Sequence, residues 1–222
     1  MIPLRDTQPS FSRPVMTSLI IALNVFIFLY EISLDPYSQN YFMSRYGIIP
    51  ANFQISTLVT TMFLHAGWMH VIGNMWFLWI YGDNIEDLIG HGKFLLFYLL
   101  CGVAAGLLHV FVNPDSRVPT VGASGAIAGV MGAYMVRFPK ARIVTLVPIV
   151  IFFTTMEIPA IVILGYWFLL QFFSGFGSFG HSNLSHGGVA WFAHIGGFVT
   201  GALLILVMGK RDRFYGRQES RW

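Results

Sequence analysis

Charged residues are so few and so clustered in this chain that they divide it into apolar runs. Several of those runs approach the roughly 20 residues an α-helix needs to cross a bilayer. Of the 222 residues, 10% are charged and 55% hydrophobic, and mean hydropathy is +0.66. The pattern excludes an ordinary soluble domain and predicts an all-α polytopic membrane protein. Six transmembrane helices are expected, at Val15 to about Leu34, Leu58 to Tyr81, Phe94 to Val112, Val121 to Val136, Pro159 to Phe173 and Val189 to Met208. Residues 1–14 are an N-terminal segment, 15–208 the membrane domain and 209–222 a basic tail. The length of the first run suits a retained span better than a cleaved signal.

Ser12 and Pro14 suit the cap and first turn of the first helix. The loop Asp35 to Thr57 is too aromatic for a plain linker and is expected to lie at the membrane interface. Between the fourth and fifth spans, Pro148 and Pro159 interrupt a stretch too long for one helix. An interfacial or re-entrant piece is expected at 143–155. Gly102 and Gly106 have close-packing spacing on the third span. No internal repeat is present, which argues against a transporter built on inverted repeats. The single cysteine, Cys101, excludes an internal disulfide.

The basic residues set the orientation. Arg5, Arg13, Lys93, Arg137, Lys140, Arg142, Lys210, Arg211, Arg213, Arg217 and Arg221 fall on one side of the predicted spans, and only Arg45 and Arg117 on the other. The positive-inside rule then places both termini in the cytoplasm, which an even number of spans requires. The basic net charge therefore reports topology and gives no support to nucleic-acid binding. Nothing in the sequence specifies an oligomeric state.

The chemistry centres on Gly122-Ala123-Ser124-Gly125 at the start of the short fourth span. About 16 residues rise only about 24 Å against a hydrocarbon core of about 30 Å. With Arg137 and Lys140 holding the cytoplasmic end, Ser124 is expected below the outer surface. His194 enters the sixth span from the same side and reaches a similar depth. It shares a helical face with Gly197 and Gly201, and Gly125, Gly129 and Gly132 line a matching seam beside Ser124. Two such seams let helix backbones approach closely, so a short serine side chain can meet an imidazole able to take its proton. His70 and Asn74, at i and i+4 on the second span, are placed to donate hydrogen bonds to a developing oxyanion. The amide of Ser124 at the helix start can add another.

No acid is placed beside Ser124 and His194 to complete a triad, so the constellation is a Ser–His dyad. His65, half a turn off the His70 face, is assigned a structural role in the first loop. Asp83 and Glu86 are expected to hold the cytoplasmic end of the second span. Gln171 reads as glue between helices, and His91, His109, His181 and His186 as loop or interface residues. The Ser174 to Gly188 segment is read as a mobile cap over the site.

Gly122-Ala123-Ser124-Gly125, Ala193-His194-Ile195-Gly196-Gly197, Phe63-Leu64-His65-Ala66-Gly67-Trp68-Met69-His70 with Gly73-Asn74, and Tyr81-Gly82-Asp83-Asn84-Ile85-Glu86 together resemble the rhomboid intramembrane serine proteases. The resemblance runs from about Val15 to Met208. It implies a six-helix rhomboid-like bundle with a short central fourth helix and an interfacial first loop, in a bacterial inner membrane. It also implies cleavage of single-span membrane proteins without cofactor, metal or nucleotide. Ser124 is then the nucleophile, His194 the base, and His70 and Asn74 the oxyanion-side donors; a substrate helix would reach them between the second and fifth spans, past Phe77, Trp167 and Phe168. The chain departs from the pattern in two places. Ala128 stands where many members carry an aromatic against the histidine, and the Trp-Arg pair often found in the first loop is missing.

Two other classes are compatible with parts of the pattern. A metal-dependent membrane enzyme or transporter could use His65, His70, Asn74 and His194, although there is no His-Glu-x-x-His motif. A non-catalytic rhomboid-like binder of membrane helices would not need both Ser124 and His194.

Overall fold

The computed structural model describes residues 2–149, 152–177 and 190–208. Eight helices and three strands are present among them: β1 (Ile2–Asp6), α1 (Val15–Ser33), α2 (Pro36–Tyr46), the single turn α3 (Thr57–Thr60), α4 (Trp68–Ile89), α5 (His91–Val112), α6 (Ser124–Arg137), β2 (Arg142–Ile149), β3 (Phe152–Pro159), α7 (Ala160–Gly177) and α8 (Trp191–Val207). The predicted 174–188 cap falls mostly outside the described residues. Its first four residues, 174–177, continue α7. The basic tail and His181 and His186 also lie outside them.

The short helix α6 is the centre of the bundle. Every residue from Gly125 to Tyr134 is buried, and α6 packs most extensively on α8, then on α5 and α4. The close approach follows from glycines. A Cβ on Gly197 would lie 1.9 Å from the Gly125 carbonyl oxygen, and one on Gly201 would lie 1.9 Å from that of Gly129. Gly132 faces the Phe198 carbonyl with the same lack of room. The two seams read from the sequence are thus in backbone-to-backbone contact. At the far end, Arg137 donates to the Ile205 carbonyl near the end of α8, tying the last turns of the two helices together.

α1 and α5 are long and apolar enough to cross a membrane by length and composition, and α7 and α8 are shorter apolar helices. The second predicted span needs correction, because residues 58–67 do not belong to it. They form α3 and a following 3-10 turn, Thr61–Phe63, and the helix begins only at Trp68. The threonines there bond the neighbouring loop rather than a helix of their own: Thr60 Oγ1 donates to the Tyr46 carbonyl and Thr61 Oγ1 to that of Thr120, both at 2.6 Å. In compensation α4 runs on to Ile89, so Gly82 to Asp87 are its last turns and not a closing loop. Gly82 is where α1 crosses: a Cβ there would lie 3.1 Å from Thr17.

Acidic side chains at that end of α4 cap α1. Glu86 accepts from the Met16 and Thr17 amides at 2.8 and 2.7 Å and from the Thr17 hydroxyl at 2.7 Å. These amides are among the first-turn donors that a helix leaves without an internal partner, and the carboxylate also suits the positive end of the helix dipole. Asp87 accepts from the Phe11 amide at 3.0 Å and the Ser12 hydroxyl at 2.5 Å. Glu86 therefore anchors α1 to α4, far from the serine.

The first loop is helical in part, with Asp35 capping α2 by accepting from the Tyr37 and Ser38 amides. Its continuation docks on α5 rather than on another span. Cβ atoms on Gly102 and Gly106 would collide with Met62 and with Ile48 and Leu58. The small-residue pair on the third span is thus a seat for the loop.

The all-α expectation fails at 143–155. Residues 142–149 and 152–159 form two antiparallel strands, β2 paired with β3 from Arg142↔Pro159 to Ile149↔Phe152. The other edge of β2 pairs with the N-terminal strand, Ile2↔Leu146 and Pro3↔Thr145, giving the order β1-β2-β3. Pro148 and Pro159 forbid a helix, while the Ile, Val, Thr and Phe between them favour a strand. Ile143 and Thr145 alternate onto the buried face, and β3 stays exposed on both faces over residues 152–157. The chain leading to β1 follows α4 away from its C-terminal end. Asn84 Nδ2 donates to the Gln8 carbonyl at 3.0 Å, Tyr134 donates to the Asp6 carboxylate, and Trp76 Nε1 donates to the Pro3 carbonyl at 2.6 Å. The sheet therefore stands beside the bundle, with β1 against α4 and with β2 and β3 reaching α7.

Candidate active site

The serine occupies the first position of α6, directly after a backbone that only glycine suits. Gly122 has φ +129°, and a Cβ there would lie 2.7 Å from the His70 ring and 3.6 Å from Asn74 Nδ2. The missing side chain thus brings the segment before Ser124 against two side chains of α4. Thr61 holds the segment from the other side, its carbonyl accepting from the Gly122 amide at 2.9 Å.

Ser124 Oγ lies 2.8 Å from His194 Nε2. The pair depends on the glycine seam, since His194 is one turn from Gly197, which rests on the Gly125 carbonyl. The other imidazole nitrogen, Nδ1, is 2.7 Å from Gln171 Oε1 on α7. Trp167, one turn earlier on α7, sets its ring 5.7 Å from the imidazole with an interplanar angle of 36°. The sequence reading left both contacts out, taking Gln171 for glue between helices and Trp167 for a gating aromatic. The i, i+4 spacing of Trp167 and Gln171 was the available signal. Ala128, fully buried, leaves the place beside the histidine to the α7 indole.

His70 and Asn74 face the same space from α4. His70 Nδ1 accepts weakly from the Ala66 amide at 3.4 Å, which puts the proton of a neutral ring on Nε2, toward the cavity. Asn74 Nδ2 is buried and has no protein partner among the described residues. A buried amide donor without a protein partner is free to bond a group or water held in the cavity it lines. His65 is not on α4 at all. It precedes Gly67, its amide donates to Glu31 at 3.2 Å, and its ring packs edge-on against His70 at 5.1 Å.

These groups line one open cavity of about 570 Å³ whose walls include His70, Asn74, Phe77, Ser124, Trp167 and His194. Phe168 does not line it; that ring stacks on Phe198 at 4.7 Å. His109, given no role from sequence, does line it and contacts Thr120 Oγ1 at 2.8 Å. Among the described residues no group of three His, Cys, Asp or Glu side chains is placed to hold a metal ion. Chemically, the cavity offers a hydroxyl paired with a base, donors opposite them, and room for water.

Residues 52–211 match the family model described as the Rhomboid domain. The chain belongs to the rhomboid family, a family of membrane proteins. It is 31% identical over 201 residues to "Rhomboid protease GluP" of Bacillus subtilis, covering 89% of this chain and 35% of that protein. It is 33% identical over 133 residues to the "Presenilin-associated rhomboid-like protein, mitochondrial" of Bos taurus, covering 56% and 33%. It is 38% identical over 106 residues to "Rhomboid-like protein 11, chloroplastic" of Arabidopsis thaliana, covering 44% and 36%. The chain thus spans about a third of the length of these relatives.

Proposed function

We propose that this chain is an intramembrane serine endopeptidase that cuts single-span membrane proteins near the outer half of the bilayer. The observation that carries the reading is the 2.8 Å pair of Ser124 Oγ and His194 Nε2, opposite the unpartnered Asn74 amide. In this reading the spans are α1, α4, α5, α6, α7 and α8, within a membrane domain of residues 15–208. The distribution of Lys and Arg supports a cytoplasmic side for segments 1–14 and 209–222, with β1 lying back along α4 as far as Trp76. The relative from Bacillus subtilis, matched along most of this chain, supports placement in a bacterial cell membrane.

Ser124 Oγ attacks the scissile carbonyl carbon as His194 Nε2 takes its proton. The carbonyl oxygen becomes an oxyanion that receives hydrogen bonds from Asn74 Nδ2, His70 Nε2 and the Ser124 amide. The imidazolium gives its proton to the leaving amine as the C–N bond breaks, leaving an acyl-serine. Water from the cavity then attacks the ester with the same histidine as base, releasing the carboxylic acid and restoring the hydroxyl. α4 and α7 flank the cavity through Phe77 and Trp167, and a substrate helix reaching the serine between them must pass or displace the sheet, which contacts both helices.

The test is labelling of the detergent-solubilised protein by a serine-directed fluorophosphonate, together with cleavage of a single-span reporter in vesicles. Wild type is expected to label and to cleave with or without a chelator, while Ser124→Ala and His194→Ala do neither. Equal labelling of all three proteins would sink the dyad, and chelator-sensitive cleavage would replace it with metal chemistry.

A further inference from the structure

We propose that Gln171 is the positioning residue for His194, supplying from α7 the hydrogen-bond acceptor that aligns the imidazole on Ser124. The inference rests on the proteolytic reading of the same site. An amide oxygen only accepts, so Gln171 Oε1 at 2.7 Å requires the proton on Nδ1. A neutral imidazole carries one N–H, so Nε2 then presents its lone pair to the Ser124 hydroxyl, 2.8 Å away. The opposite tautomer would set an N–H against the serine and leave it without a base. Gln171 is 7% exposed, and a primary amide buried in an apolar bundle is costly unless paired. The Trp167 ring holds a face of the same imidazole from one turn away. Two groups on one side of α7 thus orient the base, and both leave with that helix if it swings from α8.

The acceptor is neutral, which separates its consequences from those of a carboxylate. An ionised acid in this place would stabilise the imidazolium that forms during attack; the glutamine fixes direction without adding charge. The other histidines that line the cavity with His194 are His70 on α4 and His109 on α5. α8 carries no other ionisable residue, α6 has Tyr134 and Arg137 only in its last turn, and α7 has only the exposed Tyr166. A glutamate at 171 would be the one carboxyl beside the base.

Gln171→Met keeps the bulk and removes the acceptor. Its fluorophosphonate labelling rate and reporter kcat are expected to fall about tenfold to a hundredfold, the weight of one buried hydrogen-bond partner, with KM little changed. Gln171→Glu restores an acceptor, so it is expected to label well and to shift the low-pH limb of its activity upward by about one unit. Nitrogen NMR of histidine-labelled wild type, differenced against His194→Ala, is expected to show the His194 proton on Nδ1. A Met variant that labels like wild type, a Glu variant with an unmoved pH profile, or a proton on Nε2 would each overturn the assignment. Should the Met variant fail to fold, the tautomer in wild type still decides. If instead wild type and Ser124→Ala behave alike, it is the proteolytic reading that has failed.

Discussion

Adding one methyl group at Gly197 tests whether catalysis depends on the backbone contact between α6 and α8. The new Cβ would sit 1.9 Å from the Gly125 carbonyl oxygen and 2.8 Å from its carbon, where ordinary contact begins at 3.4 Å. Both partners are main chain, so no side chain can turn aside, and the helices must part by about 1.5 Å, the difference between the two oxygen distances. His194 is one turn away on the same face. Half of that displacement, added to the 2.8 Å separation of Nε2 and Oγ, carries the pair past the limit of a useful hydrogen bond, about 3.5 Å. A misplacement of about 1 Å can cost about a hundredfold in rate, and overpacking costs about 1–3 kcal/mol in stability. Gly197→Ala is therefore expected to label with fluorophosphonate about a hundredfold more slowly and to melt earlier in detergent. Gly201→Ala makes the same 1.9 Å overlap, with Gly129, but two turns from His194. It is expected to lose similar stability and distinctly less labelling. Gly165 has nothing within 4 Å of its would-be Cβ, so Gly165→Ala is expected to leave labelling unchanged. Wild-type labelling by Gly197→Ala would refute the dependence of the dyad on this seam.

Three further outcomes follow from particular contacts. Gly122→Ala combines a strained backbone at φ +129° with a clash on the His70 ring, and is expected to suppress labelling while costing about 1–3 kcal/mol in melting experiments. Glu86→Ala leaves the Met16 and Thr17 amides and the Thr17 hydroxyl without their acceptor, and is expected to cost about 3 kcal/mol or more of stability. Labelling of the Glu86 variant at temperatures where it stays folded should persist. Burial holds the Asp6 carboxyl above its ordinary value of 3.8, against the opposing hydrogen bond from Tyr134. The folded state then binds that proton more tightly than the unfolded one, so this contribution is greatest at low pH and is lost as pH rises through the raised value. Melting against pH should show that slope, and Asp6→Asn should flatten it.

Legibility followed from how local each signal was. The glycines at 125, 129, 197 and 201 told which faces meet, because close approach has few other solutions in an apolar bundle, and Ser124 and His194 came with them. His70 and Asn74 were readable as a helical pair. The β2–β3 pair escaped, because an apolar run of strand length and a buried helical segment look alike until a partner strand is known. Its partner, β1, lies more than a hundred residues away in sequence and contains a proline. The start of α4 was misplaced for a related reason. No charged residue interrupts the run from Leu58 to Tyr81, and the threonine hydroxyls' long-range acceptors draw residues 58–67 into the loop. Gln171 was visible as an intramembrane amide but its partner was not, since nothing local relates α7 to α8 in phase.

Each element around α6 supplies one function, and this division follows from the small size of α6 side chains. Three glycines and three alanines among its 14 residues let α6 be surrounded closely. On the proposed proteolytic reading, Ser124 is the nucleophile on α6, the base comes from α8, the oxyanion-side donors from α4, and the group that aligns the base from α7. Ala128 belongs to the same economy of space. A large ring there would stand between α6 and its neighbours, whereas the Trp167 ring reaches the imidazole from outside the closest seam. The arrangement places the rigid contacts, α6 on α8 through backbone, beneath the bond that must keep its length.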